Sequence, residues 1–359
     1  GQQVDPTEVV PVQFGTAINS SMAVNARQLL FDGVFFLGLK AANVYKELAS
    51  KSYDQSVIDV KANVVKAYYA VLVNQERLDL LQSNYDRLEI LLAETLAMYE
   101  NGFAEKIDVD RIKVNFNNIK VDQQRLARAL QISKSLLKFQ MGMPLEEEVV
   151  LSQTLADMGI EEYLPVPPVD FSYGDRIEFS LLETQAELDE LNVRQYRSGY
   201  LPKLYLTNTL GWNAGGNDLD ALSDWFGFGF MGLSLEIPIF DGFRKKHQID
   251  QANLELQKTR NNREQLKQSV NLEIKQNYSM LLSSIESLQA QKENMELAEE
   301  VFRVAKVKYQ EGVGSNLEVV EAENAFKQSE TNYYNALYDA LVYRVDYNKA
   351  LGRIDAVLK

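Results

Sequence analysis

The chain repeats itself at a spacing near 210 residues, and that feature limits its fold more than any other. Tyr68 and Tyr278, Leu72 and Leu282, Leu78 and Leu288, Tyr99 and Tyr309, Gly102 and Gly312, Val109 and Val319, Phe116 and Phe326, and Gly142 and Gly352 are each 210 apart. Phe31-Asp32-Gly33 recurs as Phe240-Asp241-Gly242 at a distance of 209. Glycines and aromatics are costly to misplace, so their shared register marks two copies of one large unit rather than a solenoid of short motifs.

Helix breakers show what that unit is. No proline occurs between Pro11 and Pro144 or after Pro238. Between Gly38 and Gly142 only Gly102 interrupts, and between Gly242 and Gly352 only Gly312 and Gly314. Proline costs about 3 kcal/mol inside a helix and glycine about 1, so these stretches read as long helices. Leu266, Val270, Ile274, Tyr278, Leu281, Ile285, Leu288 and Met295 form a helical stripe that passes into a coiled-coil seam. Val65, Tyr68, Leu72, Val73, Leu78, Leu81, Tyr85 and Leu88 repeat it in the first copy. Each copy therefore reads as a helical hairpin bent at Gly102 or Gly312. The arm from Lys40 to Glu100, roughly 60 residues at about 1.5 Å each, spans roughly 90 Å. An average globular helix has about 11 or 12 residues, so arms like these serve to cross a distance.

Other segments alternate with period two. Leu204 to Leu210 does so with strand-rich composition, and Phe226 to Phe240 places Phe226, Phe228 and Phe230 on one face before Leu233, Leu235 and Ile237 change parity. A bulge near Met231 or a change of environment along the strand accounts for that shift. With the polar run Asn213 to Asp218 between them, the two segments form a β-hairpin with a long loop. Val12 to Phe31 is the equivalent strand region of the first copy. A helix from about Arg176 to Arg197 leads into the Leu204 strand and has no first-copy counterpart, so the chain is expected to begin partway through its first repeat.

The expected organisation is a first repeat over 1–142, an acidic connector over 143–179 with Glu146-Glu147-Glu148 and Leu164-Pro165-Val166-Pro167-Pro168, a second repeat over 180–352, and a tail over 353–359. The fold class is mainly α with a small β part.

Composition removes several functions. The net charge of −14 has no basic block to oppose it, which argues against nucleic acid as a partner. There is no cysteine and a single histidine, His247, so thiolate metal sites, Ser-His-Asp and Cys-His constellations are unavailable. His247 reads as a polar residue at a helix start. No phosphate-binding glycine loop is present, no metal or cofactor is expected, and an enzyme is poorly supported. No apolar run reaches the roughly 18 residues of a membrane helix, but outer-membrane strands need only about 10 alternating residues. Three or four such strands cannot close on themselves, and an open edge is not viable in lipid. If they enter a membrane, several chains share one barrel.

The order strand, Phe-Asp-Gly, long helix, Tyr-x-x-Gly turn and returning helix, given twice, resembles the TolC-like outer-membrane factor family. The residues carrying it are Leu30-Phe31-Asp32-Gly33 and Ile239-Phe240-Asp241-Gly242 at the strand-to-helix junctions, Tyr99-Glu100-Asn101-Gly102-Phe103 and Tyr309-Gln310-Glu311-Gly312-Val313 at the tips, and Tyr200-Leu201-Pro202-Lys203-Leu204. The resemblance covers most of the chain. It implies a homotrimer in outer-membrane lipid, with a shared twelve-stranded transmembrane β-barrel and a coiled-coil α-barrel of tandem hairpins crossing the periplasm; the connector would be its equatorial region. It implies a passive exit duct for efflux or type I secretion, served by a periplasmic adaptor and an inner-membrane transporter.

By position after the turn glycine, Glu318 and Glu321 match the family's acidic ring at the pore constriction, and Asp108 takes the matching position in the first copy. Carboxylates repeated around an axis would repel, bind cations and tune which ions pass. The plainer reading of Glu318 is a capping box with Ser315. In the family an arginine two residues past the second turn glycine links to the first-copy acid; Gly314 stands there, so that link cannot form, and Lys106, Asp110 and Arg111 are the alternatives. Asn101, Gly102, Phe103 and Ala104, with Glu311, Gly312, Val313, Gly314 and Ser315, resemble the tips on which the adaptor docks; ordinary helix termination is the plainer reading. The competing function is a soluble coiled-coil scaffold or periplasmic adaptor, for which the Leu204 to Phe240 hairpin would have no use.

Overall fold

The computed structural model describes residues 15–160, 163, 165–167 and 171–357. Val12, Gln13 and Phe14 of the expected strand region, Leu164 and Pro168 of the connector, and Leu358 and Lys359 of the tail lie outside them. In chain order the main elements are β1 (Ile18–Phe31), α1 (Gly33–Glu100), α2 (Lys106–Met141), α3 (Ile177–Ser198), β2 (Lys203–Gly216), β3 (Phe226–Glu236), α4 (Arg244–Gln310) and α5 (Asn316–Ala350). The glycine-poor, proline-free stretches are the helices, 68 residues long in α1 and 67 in α4. α1 begins ahead of the expected Lys40 because Asp32 caps it, its Oδ1 accepting from the Val34 N–H at 2.8 Å.

The chain divides into two compact units, Gly1–Glu47 with Thr184–Arg260 and Leu48–Glu183 with Asn261–Lys359. In the second unit the apolar stripes meet. Val65, Tyr69 and Leu72 of α1 pack with Leu337, Leu341 and Val345 of α5. Leu88, Leu91, Ile112, Ile119, Phe302, Val319 and Phe326 draw α1, α2, α4 and α5 into one core nearer the turns. Val270, Ile274 and Leu281 of α4 bury Tyr347 and Ala350 of α5. Full burial of each large aliphatic contributes about 1.5–3 kcal/mol, so these seams hold the helices side by side. The connector lies on them: Ile160 enters the first core, Arg176 donates to the Ala350 carbonyl at 2.8 Å and pairs with Glu178 and Glu273 at 3.0 Å.

In the first unit three antiparallel strands form a sheet in the order β1-β2-β3. Two details correct the sequence reading. β2 continues to Gly216, so Asn213 to Gly216 are strand rather than loop, and β3 stops at Glu236, short of Phe240. The β2–β3 register is unbroken from Lys203↔Glu236 to Asn213↔Phe226, so there is no bulge at Met231. The parity change is one of environment, since the large side chains move from one face of a regular strand to the other. The irregularity in the sheet lies in β1, between Leu29 and Phe31. In the same unit Val193 of α3 packs with Ala252 and Leu256 of α4.

Candidate functional site

The two hairpin tips are built alike. At the first, Gly102 N–H donates to the Tyr99 carbonyl at 3.0 Å and Phe103 N–H to the Met98 carbonyl at 2.8 Å. At the second, Gly312 donates to Tyr309 at 3.1 Å and Val313 to Lys308 at 2.9 Å. This paired pattern is a Schellman motif, whose left-handed position suits glycine; φ is 80° at Gly102 and 74° at Gly312. Gly142 and Gly352 end α2 and α5 with the same bonds, which is why all four glycines hold the repeat register. The motif's next residue commonly packs back onto the helix. Here Phe103 and Val313 are 79% and 77% exposed, so each tip presents an apolar side chain to its surroundings. Asn101, Glu311 and Ser315 are exposed beside them, and Ala104 and Gly314 are half-buried. Gln310 donates to Glu94 at 2.9 Å and ties the end of α4 to α1.

Glu318 and Glu321 are exposed on the first turns of α5 and share a groove of about 530 Å³ with Glu300, Val301, Val304 and Lys308. The Glu318 N–H donates to Ser315 Oγ at 3.2 Å, so Ser315 is the N-cap. Asp108 does not line that groove. It closes a capping box at the start of α2, accepting from the Glu105 N–H at 3.1 Å, and sits 3.7 Å from Arg111 on its own helix. Among the described residues no ion pair joins Lys106, Asp110 or Arg111 to α5, so the alternative latch is not formed within one chain. His247 is exposed near the start of α4, with Nδ1 3.9 Å from Asp250.

The strand-to-helix junctions work as helix caps. Asp32 is buried, accepts from Val34 and pairs with Lys203 at 3.0 Å. Asp241 accepts from the Lys245 N–H at 3.2 Å and from its Nζ at 3.1 Å. The neighbouring Phe31 and Phe240 are exposed. Gly242 is left-handed, with φ 68°, whereas at Gly33 a Cβ would meet the Leu201 Cδ1 methyl at 2.7 Å, the end of a side chain that can move aside.

The sheet has one mainly apolar face, interrupted by Gln28 and Asn208, and one mainly polar face. Register places Met22, Val24, Leu204, Leu206, Leu210, Trp212, Met231, Leu233 and Leu235 on one face. Ser21, Asn25, Arg27, Thr207, Thr209 and Asn213 share the other. Most of the apolar face is exposed. Phe226, Phe228 and Phe230 stand on the polar face, where Phe228 lies over Gly211 and packs against Phe230 at 5.5 Å. Among the described residues β1 and β3 have no partner on their outer edges, no described helix is apolar enough to cross a membrane, and no group of metal-ligating side chains is present.

Sequence reading missed one feature. Glu323 and Glu330 of α5 are 8% and 4% exposed, in the core between α1 and α5. The signal was available: both glutamates fall on the Val319, Ala322, Phe326 stripe.

The chain matches the model of the family described as outer membrane efflux protein over residues 178–353. It is 20% identical over 338 residues to the outer membrane protein TolC of Vibrio cholerae, covering 93% of this chain and 77% of that protein. It is 19% identical to the alkaline protease secretion protein AprF of Pseudomonas aeruginosa, covering 89% of this chain and 66% of that one. Its fold is similar to the open-state MtrE outer membrane channel of Neisseria gonorrhoeae, with a TM-score of 0.74 at 19% identity over 94% of this chain and 81% of that one.

Proposed function

From the match to the outer membrane efflux protein model over 178–353 and the likeness to TolC, we propose that this chain is a member of that family and that three copies assemble into the exit duct of an efflux or type I secretion system. The duct lies in the outer membrane and extends into the periplasm. The observation that carries the reading is the sheet, open-edged among the described residues, with one largely apolar and mostly exposed face. In water such a face is a liability, and in lipid its unpaired edges each leave groups costing several kcal/mol. Both problems vanish when neighbouring copies extend the sheet into a closed barrel with the Leu204, Leu206, Leu210 face toward lipid and the Asn25, Thr209 face toward water. A soluble scaffold leaves that face without a role.

In this reading the duct passes cargo and performs no reaction. Glu318 and Glu321 form an acidic ring where the α4–α5 hairpins converge, with Asp108 near it on the neighbouring hairpin. Exposed Phe103 and Val313, at two equivalent tips, are the anchors for a periplasmic adaptor that brings the inner-membrane transporter into line. A few residues near the centre of a docking patch commonly dominate its energetics. Conductance of the purified full-length protein in a planar bilayer tests the reading: discrete, long-lived channel openings are expected, and a protein that stays in the soluble fraction and adds no conductance overturns it.

A further inference from the structure

Glu323 and Glu330 occupy a polar island inside an apolar seam of the helical unit. Four elements face them. α1 supplies Asn84, Arg87 and, along the groove of about 360 Å³ beside Glu330, Arg77; α2 supplies Asn115, Asp122 and Arg125; α4 supplies Glu299 and the Phe302 ring; α5 itself supplies Lys327 and Tyr334. Most of their positive charge is directed elsewhere, and among the described residues no ion pair joins any of these cations to Glu323 or Glu330. Lys327 is bound to Asp122. Arg87 donates to the Asn84 side-chain Oδ1 and lies over Phe326 and Phe302, 5.4 and 5.9 Å from the ring centroids. Asn84 in turn donates to Glu330 Oε2 at 2.8 Å. Glu323 Oε2 and Glu330 Oε1 are buried without a hydrogen bond, and so is Asn115 Nδ2, which leans on Glu323 without closing one. A cavity of about 10 Å³ opens among Asn84, Arg87, Glu323 and Lys327, about the volume that one water needs.

A carboxylate in such a place is costly, because a buried charge lacking full partners loses its hydration without replacement. A protonated carboxyl is far cheaper. The two glutamates are seven positions apart on one helix, so both act on the same seam. We propose that Glu323 and Glu330 form a pH-sensitive latch on the α1–α5 seam, closed while both are protonated and loosened when they ionise and draw water in. The latch is separate from the acidic ring and does not depend on the chain forming a channel.

The direction follows from proton linkage. Burial raises both carboxyls from the ordinary glutamate value of 4.5 to about 7, against the opposing pull of Arg87, Lys327 and the two asparagines. In an opened seam water restores the ordinary value. Between the two values the closed form holds more protons, so closure is favoured at low pH and lost as pH rises through about 7. Each group changes the closed-to-open ratio by up to about tenfold per pH unit in that window and not beyond it.

Hydrogen exchange of the full-length protein across pH 5 to 9, corrected for intrinsic exchange rates, reads the opening directly. Protection of α5 amides around Val319 to Tyr334 should fall more than tenfold up to neutral pH and then level off. In E323Q/E330Q protection should be flat, since glutamine keeps the shape without a titration. A flat wild-type profile, or a double variant that keeps the slope, overturns the latch. If that variant does not assemble, infrared spectra of the wild type decide: a protonated-carboxyl band present at pH 6 and lost by pH 9, reduced in single E323Q or E330Q, supports the latch, and its absence at pH 6 overturns it.

Discussion

Gly314 shows how one residue sets a local limit. The backbone turns back so closely there that a Cβ would lie 2.8 Å from Lys308 Cβ and 3.1 Å from the Lys308 carbonyl carbon. An arginine at this position, as the family resemblance anticipates, would force the second tip to move. We expect Gly314→Arg to destabilise the α4–α5 turn by about 1–3 kcal/mol, seen as faster exchange of the Gly312 to Val319 amides. Glu318 and Glu321 make a different residue-scale claim. Replacing both with glutamine should weaken cation preference in reversal-potential measurements on the assembled channel; unchanged selectivity would remove them from the constriction. The resemblance could place these two acids by counting from Gly312. It could not place the buried pair, because Glu323 and Glu330 differ from surface glutamates only in what α1, α2 and α4 bring to them.

Among the elements, β3 carries the clearest lesson. Its sequence alternates throughout, yet its large residues change sides between Phe230 and Met231. Paired with β2 in unbroken register, the change means that one face is apolar along nearly its whole length while the three phenylalanines sit among polar neighbours. In a closed barrel they would crowd its interior. Substituting Phe226, Phe228 and Phe230 with serine should therefore raise single-channel conductance, whereas serine at Leu206, Leu233 and Leu235 should reduce membrane insertion instead. Exchanged effects of the two sets would mean that the faces have been assigned the wrong way round, and equal effects that the faces do not differ in environment. The helices were far more legible. Their ends follow from glycine at the Schellman positions and aspartate at the caps, which are local devices needing no tertiary contact. Strand ends were less so, because hydrogen-bonded partners fixed the reach of β2 into the polar Asn213 to Gly216 segment.

At the scale of the whole molecule, doubling sets the plan without making the copies equivalent. Tyr309 and Leu288 are buried, while Tyr99 is exposed and Leu78 only partly covered. Leu281, in the α4–α5 seam, and Leu341, in the α1–α5 seam, have no exposure. Alanine at either should cost about 2–5 kcal/mol, measurable as a lowered midpoint for thermal loss of helical signal. Aspartate at exposed Phe103 and Val313 should leave that midpoint unchanged but abolish co-purification with the adaptor; if the adaptor still binds, the tips are not its anchors.

The sequence alone carried the 210-residue repeat, the long helices and their turning points, and the presence of strands. Those properties depend on backbone preferences and on a periodicity that each segment carries within itself. Only the tertiary structure decided which strand neighbours which, which face of the sheet is apolar, and which glutamates lose contact with water. Each of those depends on residues far apart in sequence arriving at the same place, and no local pattern encodes a side chain's distant neighbours.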